Sequence, residues 1–204
     1  MKNGRVAIQQ TDMYYVSFGQ GSKNLVVLPG LSDGLTTVKG KALFLKAPYK
    51  RFLAEYTVYM FSRKNDMPEG YTIRQMAEDQ ALAMKELGIS KAAVLGVSQG
   101  GMIAQYLAID YPEMVEKLIL AVTAPNANKV AKDVVRAWIE MAKQGDHVRL
   151  MTDTAEKCIQ SRIWKRTGNG FRLWRVSQSR KAMSAFSGML MRYWDLMPVK
   201  NCKR

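Results

Sequence analysis

Short apolar runs of strand length recur along the first three-quarters of the chain, at residues 24–28 (NLVVL), 56–61 (YTVYMF), 92–95 (AAVL) and 115–122 (VEKLILAV). Runs this short and this apolar suit strands of a parallel sheet covered on both faces. Between them the apolar spacing changes to 3.6. Thr72 precedes Ile73, Met76, Ala77, Ala81, Met84 and Leu87, with Gln75 placed to complete a capping box and Gly88 to end the helix. Met102, Ile103, Tyr106 and Leu107 form a second helical face, stopped by Asp110-Tyr111-Pro112. Residues 131–143 form a third, carrying Val134, Val135, Trp138, Met141 and Ala142, with Gly145 as its stop.

Two segments complete the pattern. Residues 5–8 and 13–16 are β-prone and predict a hairpin, with Thr11-Asp12 as turn material. Residues 41–52 alternate basic and apolar positions around Pro48 and read as helix, turn and approach to a strand. The resulting order, β-β-β-α-β-α-β-α-β-α, predicts an α/β fold: a doubly wound, mostly parallel sheet with helices on both faces.

Composition changes this picture at one end only. The 204 residues suffice for one domain with a substantial core, and 48% apolar with 24% charged residues is a globular balance. No apolar run approaches membrane-spanning length, and residues 1–12 lack a signal-peptide core, so a cytoplasmic protein is expected. Cys158, Cys202 and the single histidine lack metal-ligand spacing, which predicts free thiols, no metal and no cofactor. The net charge of +14 is uneven. Residues 1–150 hold 19 Lys+Arg against 14 Asp+Glu, whereas residues 151–204 hold 12 against 3. Trp164, Trp174 and Trp194 share that basic segment, and no acidic residue lies between Lys157 and Trp194.

The candidate chemistry sits where the central apolar run meets a helix. Gly96-Val97-Ser98-Gln99-Gly100 is a Gly-x-Ser-x-Gly turn in strand–turn–helix context. Small residues allow a corner tight enough to lift the serine hydroxyl above the sheet, with the Gln99 N–H free to face a developing oxyanion. The alternative is an ordinary glycine-rich turn whose serine caps the helix. Pro29-Gly30-Leu31-Ser32-Asp33-Gly34 follows the first buried strand, where α/β folds place ligands.

Residues 24–150 resemble the α/β-hydrolase fold superfamily in its esterase, lipase and lactonase-like branch. The resemblance rests on the VLPGLSDG loop, the FSRKNDMPEG loop, the GVSQGGMIAQYLAIDYPEMVEKLIL block and the stretch from Pro125 to Gly145. It implies Ser98 as nucleophile, with the N–H groups of Gln99 and Leu31 as oxyanion donors. It further implies a core over residues 1–124 and the start of a helical cap over 125–156. The residues from 157 to 204 form an atypical basic tail, expected to be frame-shifted or poorly ordered.

The family places an acid and then a histidine after the serine. No histidine follows His147, and Asp195 is the only acidic residue beyond Glu156. His147 falls in the cap region and is a candidate base without a family counterpart. The base and acid are therefore unassigned. The expectation is a serine hydrolase of a small ester, thioester or lactone with little or no turnover, its family sequence interrupted near Glu156 by truncation or frame shift. A divergent protein that kept the fold is the alternative. A non-catalytic binder on the same scaffold is the rival function; nucleic-acid binding by the basic, Trp-containing tail is a second.

Overall fold

The computed structural model describes residues 1–34 and 37–158. The basic tail beyond residue 158, including Asp195, lies outside the described residues. Strands β1 (Lys2–Ile8) and β2 (Thr11–Phe18) form the expected hairpin. Its turn lies earlier than the sequence suggested. Ile8 pairs with Thr11 and Ala7 with Asp12, so Thr11 and Asp12 belong to β2, and Gln9-Gln10 make a two-residue turn. Gln9 takes φ 51°, the left-handed conformation that such tight hairpin turns require.

Strands β3 (Lys23–Leu28), β4 (Tyr56–Lys64), β5 (Ala92–Val97) and β6 (Val115–Ala121) complete one six-stranded sheet of order β1-β2-β4-β3-β5-β6. β2 pairs antiparallel with β4, and the other new pairs are parallel. Parallel neighbours need crossovers, and helices supply them. Helix α1 (Ala42–Leu45) runs into a 3₁₀ segment (Ala47–Phe52) after β3. Ala42, Tyr49 and Leu53 pack there against Val16, Phe18, Leu25, Val27, Val58 and Met60. The opposite face carries α2 (Ile73–Glu86) and α3 (Gln99–Asp110).

The local signals explain these bounds. Thr72 and Gln75 exchange both bonds of the capping box. The α2 stripe buries Ile73, Met76, Ala77, Ala81 and Met84. Gly88 at φ 70° ends the helix, with Ile89 N–H donating to the Met84 carbonyl at 2.8 Å, the bond of a Schellman cap. At β6 the apolar run is not covered on both faces among the described residues: Leu118, Ile119 and Leu120 are all exposed.

β4 departs further from expectation. Ser62, Arg63 and Lys64 read as the start of a polar loop, yet they extend the strand and are buried. Polar groups in such a position must find partners, and the side chains of Ser62 and Lys64 do. Lys64 Nζ reaches the Tyr71 hydroxyl at 2.5 Å and Asp79 Oδ1 at 3.4 Å, and the Tyr71 hydroxyl donates to Asp79 at 2.9 Å. Burial together with the Asp79 carboxylate pushes the Tyr71 phenol well above its usual range. This cluster fixes the loop between β4 and the start of α2.

The chain divides into two compact units, Met1–Asn126 and Ala127–Arg204. In the second, α4 (Lys129–Lys143) starts two residues before the predicted helix because Asn128 caps it, accepting from Ala131 N–H at 2.9 Å. Gly145 ends it at φ 71°. Helix α5 (His147–Cys158) follows. Asp153 is half-buried and accepts from Trp138 Nε1 at 2.7 Å. Among the described residues no helix is long and apolar enough to cross a membrane.

Candidate active site

Ser98 occupies the corner between β5 and α3, one residue past the strand and one before the helix. Its backbone takes φ 53° and ψ −120°, a conformation costly for any residue with a side chain. The corner is held from both sides. Ser98 N–H donates to the Ala121 carbonyl at 2.9 Å, tying the end of β5 to β6. The Ser98 carbonyl accepts from Gly101 N–H at 2.9 Å, opening the helix. The Ser98 side chain makes no capping bond. The reading of Ser98 as a simple helix cap therefore fails. A strained serine whose hydroxyl is not spent on the helix matches the chemistry a nucleophile needs.

Glycine makes the corner sterically accessible at Gly96. A Cβ there would lie 2.5 Å from the Gly101 Cα and 2.6 Å from the Gly100 carbonyl oxygen, so strand and helix meet at backbone distance.

The Pro29–Gly34 loop is brought to the same place. Leu28 pairs with Gly96 in the parallel register, so the carboxyl ends of β3 and β5 lie side by side. A Cβ at Gly30 would stand 3.2 Å from Ser98 Cβ and 3.7 Å from Ser98 Oγ. Leu31 opens the 3₁₀ turn Leu31–Gly34, directly after this contact. Gln99 is the first residue of α3, where backbone N–H groups lack intrahelical partners and the helix dipole favours negative charge. Ser98, Gln99 and the Gly30-Leu31 segment thus converge. His147 begins α5 in the other unit, and its side chain lies outside the described residues.

Beneath this corner is a polar cluster that the sequence did not flag. Asp33 is 5% exposed and accepts from Ser62 Oγ at 2.8 Å and from Arg63 N–H at 2.7 Å. Ser62 Oγ accepts in turn from Val38 N–H at 3.0 Å. The Arg63 guanidinium donates through Nη2 to the Pro29 carbonyl at 2.6 Å and to Gln99 Oε1 at 3.2 Å. Burial pushes the Asp33 carboxyl up, against the pull of nearby Arg63. Burial likewise lowers the Arg63 guanidinium, against the pull of Asp33. Arg63 Nε and Nη1 and Gln99 Nε2 are buried without a partner among the described residues. The sequence offered one faint signal: Ser62-Arg63-Lys64 follows an apolar strand with no Gly or Pro to end it.

Known proteins match this fold. A family profile described as alpha/beta hydrolase fold matches residues 23–158. The homoserine O-acetyltransferase of Thermus thermophilus is 49% identical over 49 residues, 24% of this chain and 13% of that protein. Epoxide hydrolase 1 of Caenorhabditis elegans is 24% identical over 139 residues, 68% of this chain and 34% of that protein. The matched stretches thus span about a third or less of these curated relatives. Among solved structures, MGS-M2, an α/β hydrolase enzyme from a Medee basin deep-sea metagenome library, superposes with a TM-score of 0.81 at 19% identity, covering 94% of this chain and 72% of that one. The enol-lactonase of Burkholderia xenovorans LB400 does so with a TM-score of 0.76 at 18% identity, covering 95% and 74%. At these identities the structural likeness speaks for the fold.

Proposed function

This chain belongs to the α/β hydrolase fold family, and we propose that it is a serine hydrolase of a small carboxylic ester, thioester or lactone. The observation that carries the reading is Ser98 at φ 53°, with no bond from its side chain to the helix it precedes. Ser98 Oγ attacks the acyl carbonyl and forms the new C–O bond. The carbonyl π electrons move onto oxygen, and the N–H groups of Gln99 and Leu31 receive that oxyanion. Collapse of the intermediate breaks the bond to the leaving group, which departs with the proton that the Ser98 hydroxyl gives up; water then adds its hydroxyl to the acyl carbon and returns its other hydrogen to Ser98 Oγ, releasing the acid. The core over residues 1–124 carries this chemistry, and the segment over 125–156 corresponds to the start of the family's helical cap. Among the relatives, the epoxide hydrolase and the enol-lactonase support small-molecule hydrolysis without choosing a substrate, whereas the homoserine O-acetyltransferase is named for acyl transfer.

A serine hydroxyl is a poor nucleophile without a base, and the chain's only histidine is His147. Slow turnover is therefore the expectation, and single-turnover labelling is the suitable readout. Incubation with excess fluorophosphonate should modify Ser98 and leave Ser98→Ala unmodified, as mapped by peptide mass. Absence of any modification at Ser98 would sink the assignment. A labelling rate that climbs steadily with pH supports the absence of a base. A plateau near neutral pH overturns that part, and its loss in His147→Ala would identify His147 as the base.

A further inference from the structure

We infer that Arg63 is a positioning residue of the oxyanion site: its buried guanidinium bridges the two backbone segments that supply the donors and fixes their relative placement. The inference rests on the reading of Ser98, Gln99 and Leu31 given above and extends it to a side chain outside the Gly-x-Ser-x-Gly motif.

One nitrogen makes both connections. Arg63 Nη2 donates to the Pro29 carbonyl on one side and to Gln99 Oε1 on the other, at 2.6 and 3.2 Å. The first bond orients the peptide that enters Gly30 and Leu31. The second holds the side chain of the residue whose own N–H faces the site. The two segments belong to different crossovers, after β3 and after β5. Backbone pairing between those strands runs as far as Leu28 and Gly96. Beyond that pair the guanidinium is a cross-link between the two loops.

The location of Arg63 makes the cross-link stiff. The side chain sits at the end of β4 and is 4% exposed. Its own backbone is pinned by Asp33, which belongs to the same loop as Leu31. Loop and strand therefore hold each other twice, through Asp33 to the Arg63 N–H and through the Arg63 guanidinium to the Pro29 carbonyl. Asp33 also supplies the compensating charge that a buried guanidinium requires. The cation lies beneath the corner where negative charge would develop, in an interior where electrostatic effects are weakly screened. Lysine at this position carries its ammonium on a flexible stem that ends about one bond short of the Nη2 position, so it does not hold both acceptors where the rigid guanidinium does.

The test uses the full chain and three proteins: wild type, Arg63→Lys, and the double variant Arg63→Met with Asp33→Asn. The double variant removes both buried charges at similar volume, so it folds where a lone Arg63 truncation would strand the Asp33 carboxylate. Circular dichroism and thermal unfolding establish the fold of each. Two readouts follow. Amide NMR shifts of Leu31 and Gln99 report donor placement without any need for activity, and both variants should displace them while β1 and β2 amides stay in place. The fluorophosphonate inactivation constant should fall by about 10- to 100-fold, as sub-ångström to ångström misplacement of reacting groups does, with the reagent's half-saturating concentration unchanged. Folded variants with wild-type shifts and wild-type inactivation overturn the inference. If wild type itself resists the reagent, the Ser98 reading fails, and the amide shifts alone decide whether Arg63 positions those N–H groups.

Discussion

The carbonyl oxygen of Leu28 lies where a Cβ on Gly100 would come to within 2.0 Å of it. The end of β3 and the first turn of α3 therefore touch backbone to backbone, and that contact sets the depth at which the Ser98 corner sits over the sheet. The obstacle is main chain, which has no rotamer to yield, so the glycine is required for space and not for its dihedral freedom.

Gly100→Ala should consequently cost about 3 kcal/mol of stability, the upper range for forcing volume into a packed interior. Gly40 provides the contrast. It has φ 73° and nothing within 4 Å of an added Cβ, so Gly40→Ala should cost only the left-handed backbone penalty, about 1 kcal/mol. Urea denaturation of both variants measures the difference, and equal midpoints would refute the contact between β3 and α3.

The strain at Ser98 yields a second expectation. Ser98→Gly should be more stable than Ser98→Ala by about 1 kcal/mol, because alanine keeps the unfavourable φ of 53° and glycine relieves it, less the entropy glycine loses on folding. Both variants lack the hydroxyl and should resist fluorophosphonate. Thermal unfolding of the pair decides the matter: an alanine variant as stable as the glycine one means the corner is unstrained.

The elements legible in sequence were those whose signals are local. Six strands, the Thr72–Gln75 capping box, the Gly88 and Gly145 stops and the strand–Ser98–helix order all follow from runs of a few residues, and the family's fold followed from them. What stayed hidden depends on distant partners. Ser62, Arg63 and Lys64 look like loop residues because their burial is justified by Pro29, Asp33, Val38, Gln99, Tyr71 and Asp79, which lie 7 to 36 residues away. The hairpin turn was misplaced because Gln9-Gln10 carries no Gly or Asn to announce a left-handed residue. The bond from Trp138 to Asp153 was equally hidden, because the two residues lie on different helices.

The capping box offers a magnitude for a purely local device. Thr72→Ala removes the acceptor for Gln75 N–H and should lower stability by about 1 kcal/mol. Gln75→Ala removes the acceptor for Thr72 N–H. Because Thr72 Oγ1 also reaches Gln75 Oε1 at 2.8 Å, the two losses should not add: the double variant should cost less than the sum of the singles. A denaturation cycle over the four proteins measures the coupling, and strict additivity would show that the two side chains act separately.

The contact between α4 and α5 carries a pH dependence of definite sign. Asp153 is held below the usual carboxylate range first by its bond to Lys157 and also by the Trp138 indole N–H, against the opposing effect of burial. A carboxylate with a depressed folded pKa contributes stability that is fully present above its unfolded value, near 3.8, and is lost as pH falls through the folded value. The indole should thus keep its partner through mildly acid conditions and lose it only below pH of about 3.8. Trp138 fluorescence, isolated as the difference between wild type and Trp138→Phe, should change in that acid window. Asp153→Asn should remove the transition while leaving the emission near neutral pH close to wild type, since the amide oxygen still accepts from the indole. A transition centred above the ordinary carboxylate range, or one that persists in Asp153→Asn, would show that another group holds the two helices together.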